Sequence, residues 1–364
     1  MVKDMKLKKK FKVLLFLLII ILTGYFYYTY FNKKEPLKED SEIVKVMKEK
    51  NIPEEKYSKT LEYVLLNNIY DEKYLDEYQD IEFNNNSNFS NILTTFLPKG
   101  YKGKEINYLF KISSKNLDYL KEQDYIDITN YYEIKNFDAT KIDRYNKYKE
   151  KNDLPLKDVI TQVNIKLDLP VYTDTVEASD PDSLLVLVNK YNHLPKNYTP
   201  KDLVNVDGAY GNKVPMRSII KDDFLKLQEA AKKEININLM PTTAFRNESF
   251  QTTLYNNYVK KDGVAKADKY SARPGYSEHQ TGLAIDLKNT ALNDIRLTDD
   301  NYNWLSNNAY KYGFIIRFPK EKENITGYQF ENWHIRYVGH DIAKIMYDNN
   351  LTLEEYIDLY IMEY

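Results

Sequence analysis

A carboxylate stands among aliphatic side chains in GLAIDL, residues 282–287. Alternation of Leu283, Ile285 and Leu287 predicts a strand with these three on one face and Ala284 and Asp286 on the other. A carboxylate so placed needs a partner, either a hydrogen bond in the core or a functional group. His279 lies just upstream, in SEHQTG. An odd number of positions separates it from Asp286, so in one unbroken strand the two would face opposite ways. A turn at Gln280-Thr281-Gly282 brings them together, and glycine permits that turn.

A second stretch, ENWHIRYV, begins at Glu331. In a strand, His334 and Arg336 share a face, while Trp333, Ile335 and Tyr337 pack on the other. Glu331 sits at the entrance, where it can turn toward His334. The chain has 4 His and no Cys. That excludes disulfides, Cys-ligated zinc and a cysteine nucleophile. Two imidazoles, a carboxylate and a spare carboxylate form the stock of a catalytic zinc site: three N/O ligands, an open position for water and a base beside it. His193 lies outside both stretches, and His340 reads as packing at a helix N-terminus. Trp304 and the tyrosines of 302–312 read as helix core.

Over the 364 residues the formal net charge is −2. This balance excludes a general nucleic-acid binder, which carries a basic excess. The charge is arranged unevenly at the N-terminus. A basic tail (1–12) precedes VLLFLLIIILTGYFYYTYF (13–31), an uncharged run long enough to span a bilayer as a helix. The lysines predict a cytoplasmic tail, and the tyrosines an outer interfacial belt. The reading is an uncleaved, single-pass signal anchor in a bacterial cell membrane, with the remainder extracytoplasmic.

Residues 32–42 read as a charged linker within a spacer or wall-binding region, 32–155. Two segments there, 61–83 and 106–128, align without gaps, and Tyr63/Tyr108, Tyr74/Tyr119 and Leu75/Leu120 are identical. The pattern predicts helix, turn, helix and a short strand, used twice. From 156 to 364 helices and strands interleave without a strict βαβ rhythm, so the fold class is α+β. Strands are expected over 159–170, 237–245, GLAIDLKN, FIIRF and WHIRYVG. Helices are expected over 222–235, 247–261 and 301–313, the last stopped by Gly313.

SEHQTGLAID, ENWH and TTAFRNESFQ (242–251) resemble the motifs S-x-H-x-x-G-x-A-x-D, E-x-W-H and S-G-Y-R-S-x-x-x-Q of VanY-type D-alanyl-D-alanine carboxypeptidases. These belong to the lysostaphin, D-Ala-D-Ala metallopeptidase and hedgehog superfamily. In the third motif Thr-Ala-Phe replaces Ser-Gly-Tyr. The similarity runs from about residue 160 to the C-terminus and leaves 32–155 uncovered. The resemblance implies an antiparallel sheet with flanking helices, and one Zn²⁺ held by His279, Asp286 and His334. Glu331 would be the general base and Arg246 the second positive group for the oxyanion or substrate. Gln251, Ser277 and Arg273 are candidates for substrate binding, Arg273 standing between binding a terminal carboxylate and fixing its loop. The implied substrate is the peptidoglycan stem peptide, losing its C-terminal D-alanine. Related L,D-carboxypeptidases of tetrapeptide stems carry the same zinc motifs, so that cleavage stays open. A non-catalytic cell-wall-binding protein with this fold is the competing class, and the intact Glu331 speaks against it.

Overall fold

The structure, a computed structural model, describes residues 41–131, 133–289 and 299–362. The apolar run 13–31 lies outside the described residues. Among those described, no helix is long and apolar enough to cross a membrane. The chain divides into two compact units, one ending at Lys111 and the other starting at Ile112. That division falls earlier than the boundary read from sequence at 155/156.

The first unit is helical: α1 (Glu42–Glu49), α2 (Lys59–Leu66), α3 (Glu77–Asp80), α4 (Phe89–Phe96) and α5 (Gly103–Leu109). Two of its helices, α2 and α5, start where side chains satisfy free N–H groups. Ser58 Oγ accepts from Leu61 N–H at 3.0 Å at the head of α2. Leu61 and Val64 of α2 and Ile92 and Phe96 of α4 are buried at helical spacing.

The expected repeat does not materialise. Both segments begin in a helix, α2 and α5. The second copy then crosses into the next unit and forms α6 (Ser114–Glu122), whereas the first has only a 3₁₀ turn at Glu72–Tyr74 and the short α3. Neither ends in a strand. Asn107 takes the backbone groups that a strand partner would use: its Nδ2 donates to Asp80 O and its Oδ1 accepts from Glu82 N–H, each at 2.7 Å. In the second copy, Asp127 Oδ1 accepts from Thr129 N–H and turns the chain instead.

The second unit continues with α7 (Ile142–Lys149) and α8 (Leu156–Asn164). Here the strand expected over 159–170 is corrected to a helix. Val159, Ile160 and Val163 are all fully buried, the i, i+1, i+4 spacing of one helical face, whereas alternation would turn Ile160 away from the other two. Pro155 stands at the helix start, where its missing N–H costs nothing.

Two short strands, β1 (Val176–Glu177) and β2 (Asn192–His193), pair in parallel. The hairpin β3 (Leu203–Asp207) and β4 (Lys213–Arg217) leads into the long α9 (Ser218–Ile235). There follow β5 (Leu239–Thr243), α10 (Glu248–Asp262), α11 (Val264–Ala267), β6 (Ala284–Asn289), α12 (Asp299–Asn308), β7 (Phe314–Ile316), α13 (Glu323–Thr326), β8 (His334–Tyr337), α14 (His340–Asp348) and α15 (Leu353–Tyr360). Four of these strands form an antiparallel sheet in the order β5-β6-β8-β7. The expected α+β class with an antiparallel sheet and flanking helices is what this unit adopts.

The sheet has two unlike faces. Leu283, Ile285, Leu287, Ile335 and Tyr337 join Phe224, Leu227 and Leu305 in one apolar core beneath α9 and α12. The alternate residues Asp286, His334 and Arg336 lie on the other face, as period-two geometry requires. The sheet therefore carries its polar groups on its central strands.

Candidate active site

The turn before β6 is a 3₁₀ helix, Glu278–Thr281, closed by Gly282 at φ +68°. A Cβ at Gly282 would meet Arg217 Cγ at 3.0 Å and Leu203 Cδ2 at 3.2 Å, so conformation and close approach both demand glycine. This turn reverses the parity of His279. Its Nε2 comes to 3.2 Å from Asp286 Oδ2. Its Nδ1–H donates to Ala244 O at 2.8 Å, which leaves Nε2 as the free lone pair.

His334 arrives from the neighbouring strand. Asp286 and His334 are register partners between β6 and β8. His334 Nδ1 lies 3.1 Å from Asp286 Oδ1, and the two imidazoles meet edge to face with centroids 4.9 Å apart. One donor atom each from His279, Asp286 and His334 falls within 4.8 Å of the others. Asp286 Oδ1 is buried and has no hydrogen-bond partner among the described residues. Two imidazole nitrogens and one carboxylate oxygen, converging and buried, suit a divalent zinc-type cation.

Glu331 precedes β8. Its N–H bonds to Phe318 O at 3.1 Å, and its Oε2 lies 3.4 Å from His334 Nδ1. Burial raises the proton affinity of its carboxyl, and the Asp286 charge adds to this; His334 and Arg246 oppose without cancelling it. Burial would likewise raise Asp286, but His279 and His334 outweigh it and hold Asp286 well below its ordinary value. His279 is lowered, by burial and by Arg246. His334 goes the other way. Burial disfavours its cation, yet Asp286, Glu278 and Glu331 push it well above the ordinary imidazole range. The field that holds a proton there also favours a metal cation.

Arg246 follows β5. Its Nη2 lies 3.3 Å from Asp286 Oδ2, and its Nη1 donates to Gln251 Oε1 at 3.0 Å. Gln251, buried on α10, donates in turn to Ala272 O at 2.7 Å. Its amide is thus committed to holding Arg246. Ser277 is buried and lines the same cleft of about 260 Å³, together with Tyr276, Tyr328 and Trp333, the last expected on the opposite face but lying before β8 begins at His334. Arg273 is placed differently and is not part of the lining. It pairs with Asp268 through Nε at 3.2 Å and Nη2 at 2.9 Å, and its guanidinium stacks 3.9 Å over the Tyr172 ring. His193 and His340 stand apart from the cluster. His340 opens α14 and reaches Asp223 at 2.8 Å.

Sequence reasoning gave Glu278 no role. It is buried, and its Oε1 accepts from Arg317 Nε at 2.7 Å and Arg336 Nη1 at 2.8 Å. Arg317 also forms a two-pronged pair with Glu354 of α15, at 3.0 and 2.7 Å. The signal was present: an arginine inside the apolar pattern FIIRF and another inside HIRYV each require a buried counter-charge.

The chain matches the family model described as VanY, D-alanyl-D-alanine carboxypeptidase, over residues 213–340. It is 45% identical over 188 residues to the putative carboxypeptidase YodJ of Bacillus subtilis (strain 168), a match covering 49% of this chain and 68% of that protein. The chain belongs to the VanY family. The bifunctional D-Ala-D-Ala dipeptidase and D-Ala-D-Ala carboxypeptidase VanXYC of Enterococcus gallinarum is 33% identical to this VanY-family chain over 180 residues, covering 48% of it and 93% of the relative. A solved LdcB LD-carboxypeptidase is 41% identical, with 51% of this chain and 91% of that one covered and a TM-score of 0.47. This VanY-family protein is a peptidase-type hydrolase, and the family match spans His279, Asp286, Glu331 and His334.

Proposed function

We propose that this protein is a zinc-dependent carboxypeptidase that hydrolyses the C-terminal D-alanine from peptidoglycan stem peptides. The observation that carries this reading is the convergence of His279, Asp286 and His334 in one cleft with the Glu331 carboxylate 3.4 Å from His334. The curated relatives named D-alanyl-D-alanine carboxypeptidase, from Enterococcus faecium and Enterococcus faecalis, support the D,D substrate class.

His279 Nε2, an Asp286 oxygen and His334 Nδ1 would hold the zinc, which would supply Lewis acidity toward the scissile carbonyl and a water. Glu331 takes a proton from the attacking water and returns it to the leaving amine as the C–N bond breaks. Its raised proton affinity suits both halves of that transfer. Arg246 provides positive charge for the carbonyl oxygen as it becomes an oxyanion. Gln251 fixes the guanidinium, so its orientation is set before substrate arrives. The buried walls exclude bulk water and strengthen each of these interactions.

Release of D-alanine from defined pentapeptide and tetrapeptide stems, with and without a chelator, tests this. Chelator-sensitive release from pentapeptide is expected. Release from tetrapeptide alone would assign an L,D-carboxypeptidase instead, and no release from either by zinc-loaded protein would leave the non-catalytic class. We further propose that residues 13–31 anchor the enzyme in the cell membrane with the cleft outside, on the strength of that uncharged run and the preceding lysines. Fractionation of the full chain, with and without residues 1–31, checks the anchor.

A further inference from the structure

We propose that Glu278 is the positioning residue of the site: it accepts the Nε2–H of His334 and so presents the Nδ1 lone pair to the metal. The inference rests on the metal reading above. A neutral imidazole carries one ring proton, and a ligating nitrogen must be the other one. His334 Nδ1 faces the donor cluster, 3.1 Å from Asp286 and 3.4 Å from Glu331. Its proton therefore belongs on Nε2. That atom is buried and has no hydrogen-bond partner among the described residues, and Glu278 Oε2 is in the same condition. The two lie 3.6 Å apart, just beyond hydrogen-bond length. A small rotation of the imidazole closes the gap and satisfies both.

The carboxylate is well placed to receive that proton. Its other oxygen is pinned by Arg317 and Arg336 at 2.7 and 2.8 Å. Arg336 is anchored in turn to Leu184 O and Val186 O, both at 2.9 Å, and Arg317 to Glu354. All four charged side chains are buried, so the free Oε2 keeps its aim. His279 donates the equivalent hydrogen bond to the backbone carbonyl of Ala244. His334 gets a charged acceptor instead, which raises its basicity as a ligand.

The test compares the full-length protein with Glu278→Gln and Glu354→Gln. Zinc affinity is measured by chelator competition, and the ring protons of His334 by ¹⁵N NMR of the zinc-loaded parent. The parent is expected to carry the His334 proton on Nε2. Glu278→Gln should lose about 10- to 100-fold in zinc affinity, the range for removing such a partner. Glu354→Gln breaks the same arginine network without touching His334 and should lose far less. A proton on Nδ1 in the parent would overturn the inference even if Glu278→Gln fails to fold. Equal zinc affinities in parent and Glu278→Gln would also overturn it, as would equal losses in both variants, which mean a structural role. A parent that binds no zinc sinks the metal reading itself.

Discussion

Glu331 and Gly282 are the residues whose single replacement separates chemistry from architecture. Glu331 touches the ligand cluster only through His334, so Glu331→Gln should keep the metal while removing the proton shuttle. We expect wild-type zinc content and a fall in kcat of about 10²- to 10⁴-fold, the usual worth of general acid–base catalysis. Metal analysis beside the D-alanine assay checks both halves. Gly282→Ala should act on folding. A left-handed conformation costs a non-glycine residue about 1–2 kcal/mol before the contacts with Arg217 and Leu203 are counted. Urea denaturation should show at least that loss. Zinc affinity should fall with it, because the turn sets the position of His279.

At the scale of elements, the site depends on β6 and β8 lying side by side in one register. A slip of a single residue would turn His334 into the apolar core and Ile335 into the cleft. Behind the sheet, Asp223 of α9 ties three elements together. It accepts from Tyr337 Oη of β8 at 2.9 Å and from His340 Nε2 of α14 at 2.8 Å. Burial opposes ionisation of Asp223, but His340, Tyr337 and Lys226 outweigh it and hold the carboxyl below its ordinary value. A carboxylate lowered in the folded state stabilises above its unfolded pKa, and this is lost as pH falls through the folded value. Asp223→Asn should therefore be less stable than the parent at neutral pH. The difference should shrink as pH falls below the ordinary aspartate range and through the lowered folded value, where the carboxyl is protonated in folded and unfolded chains alike. Denaturation midpoints across that range measure it.

For the whole molecule, the proposed metal binding would be linked to folding, because a site built from a turn and two strands has no counterpart in the unfolded chain. Zinc at 100 times its Kd should add about 2.7 kcal/mol to stability. Thermal melting with and without a chelator should show the shift, with reversal on zinc readdition. Much of this molecule was legible in local pattern. Period-two alternation placed Asp286 and His334 on the polar face of their strands, parity required the turn at Gly282, and the motif residues named the cluster. Other readings failed where local signals were degenerate. Val163, Ile165, Leu167 and Leu169 alternate as a strand would, while Val159, Ile160 and Val163 share a helical face, and the burial of the latter three selects α8. The two similar segments diverge because Asn107 and Asp127 settle their backbones through contacts that alignment does not weigh. Arg273 reads in sequence as either a substrate group or a loop-fixing one, and its pair with Asp268 fits the second. The sequence by itself determined which side chains the cluster is built from and which faces β6 and β8 present, since both follow from residue type and backbone period. Tertiary structure alone decided that Asp286 meets His334, that Gln251 holds Arg246, and that Glu278 stands behind the site among two buried arginines. Asp286 with His334, and Glu278 with Arg317 and Arg336, join positions far apart in the chain, and only strand register and the closure of a common core bring them within bonding distance.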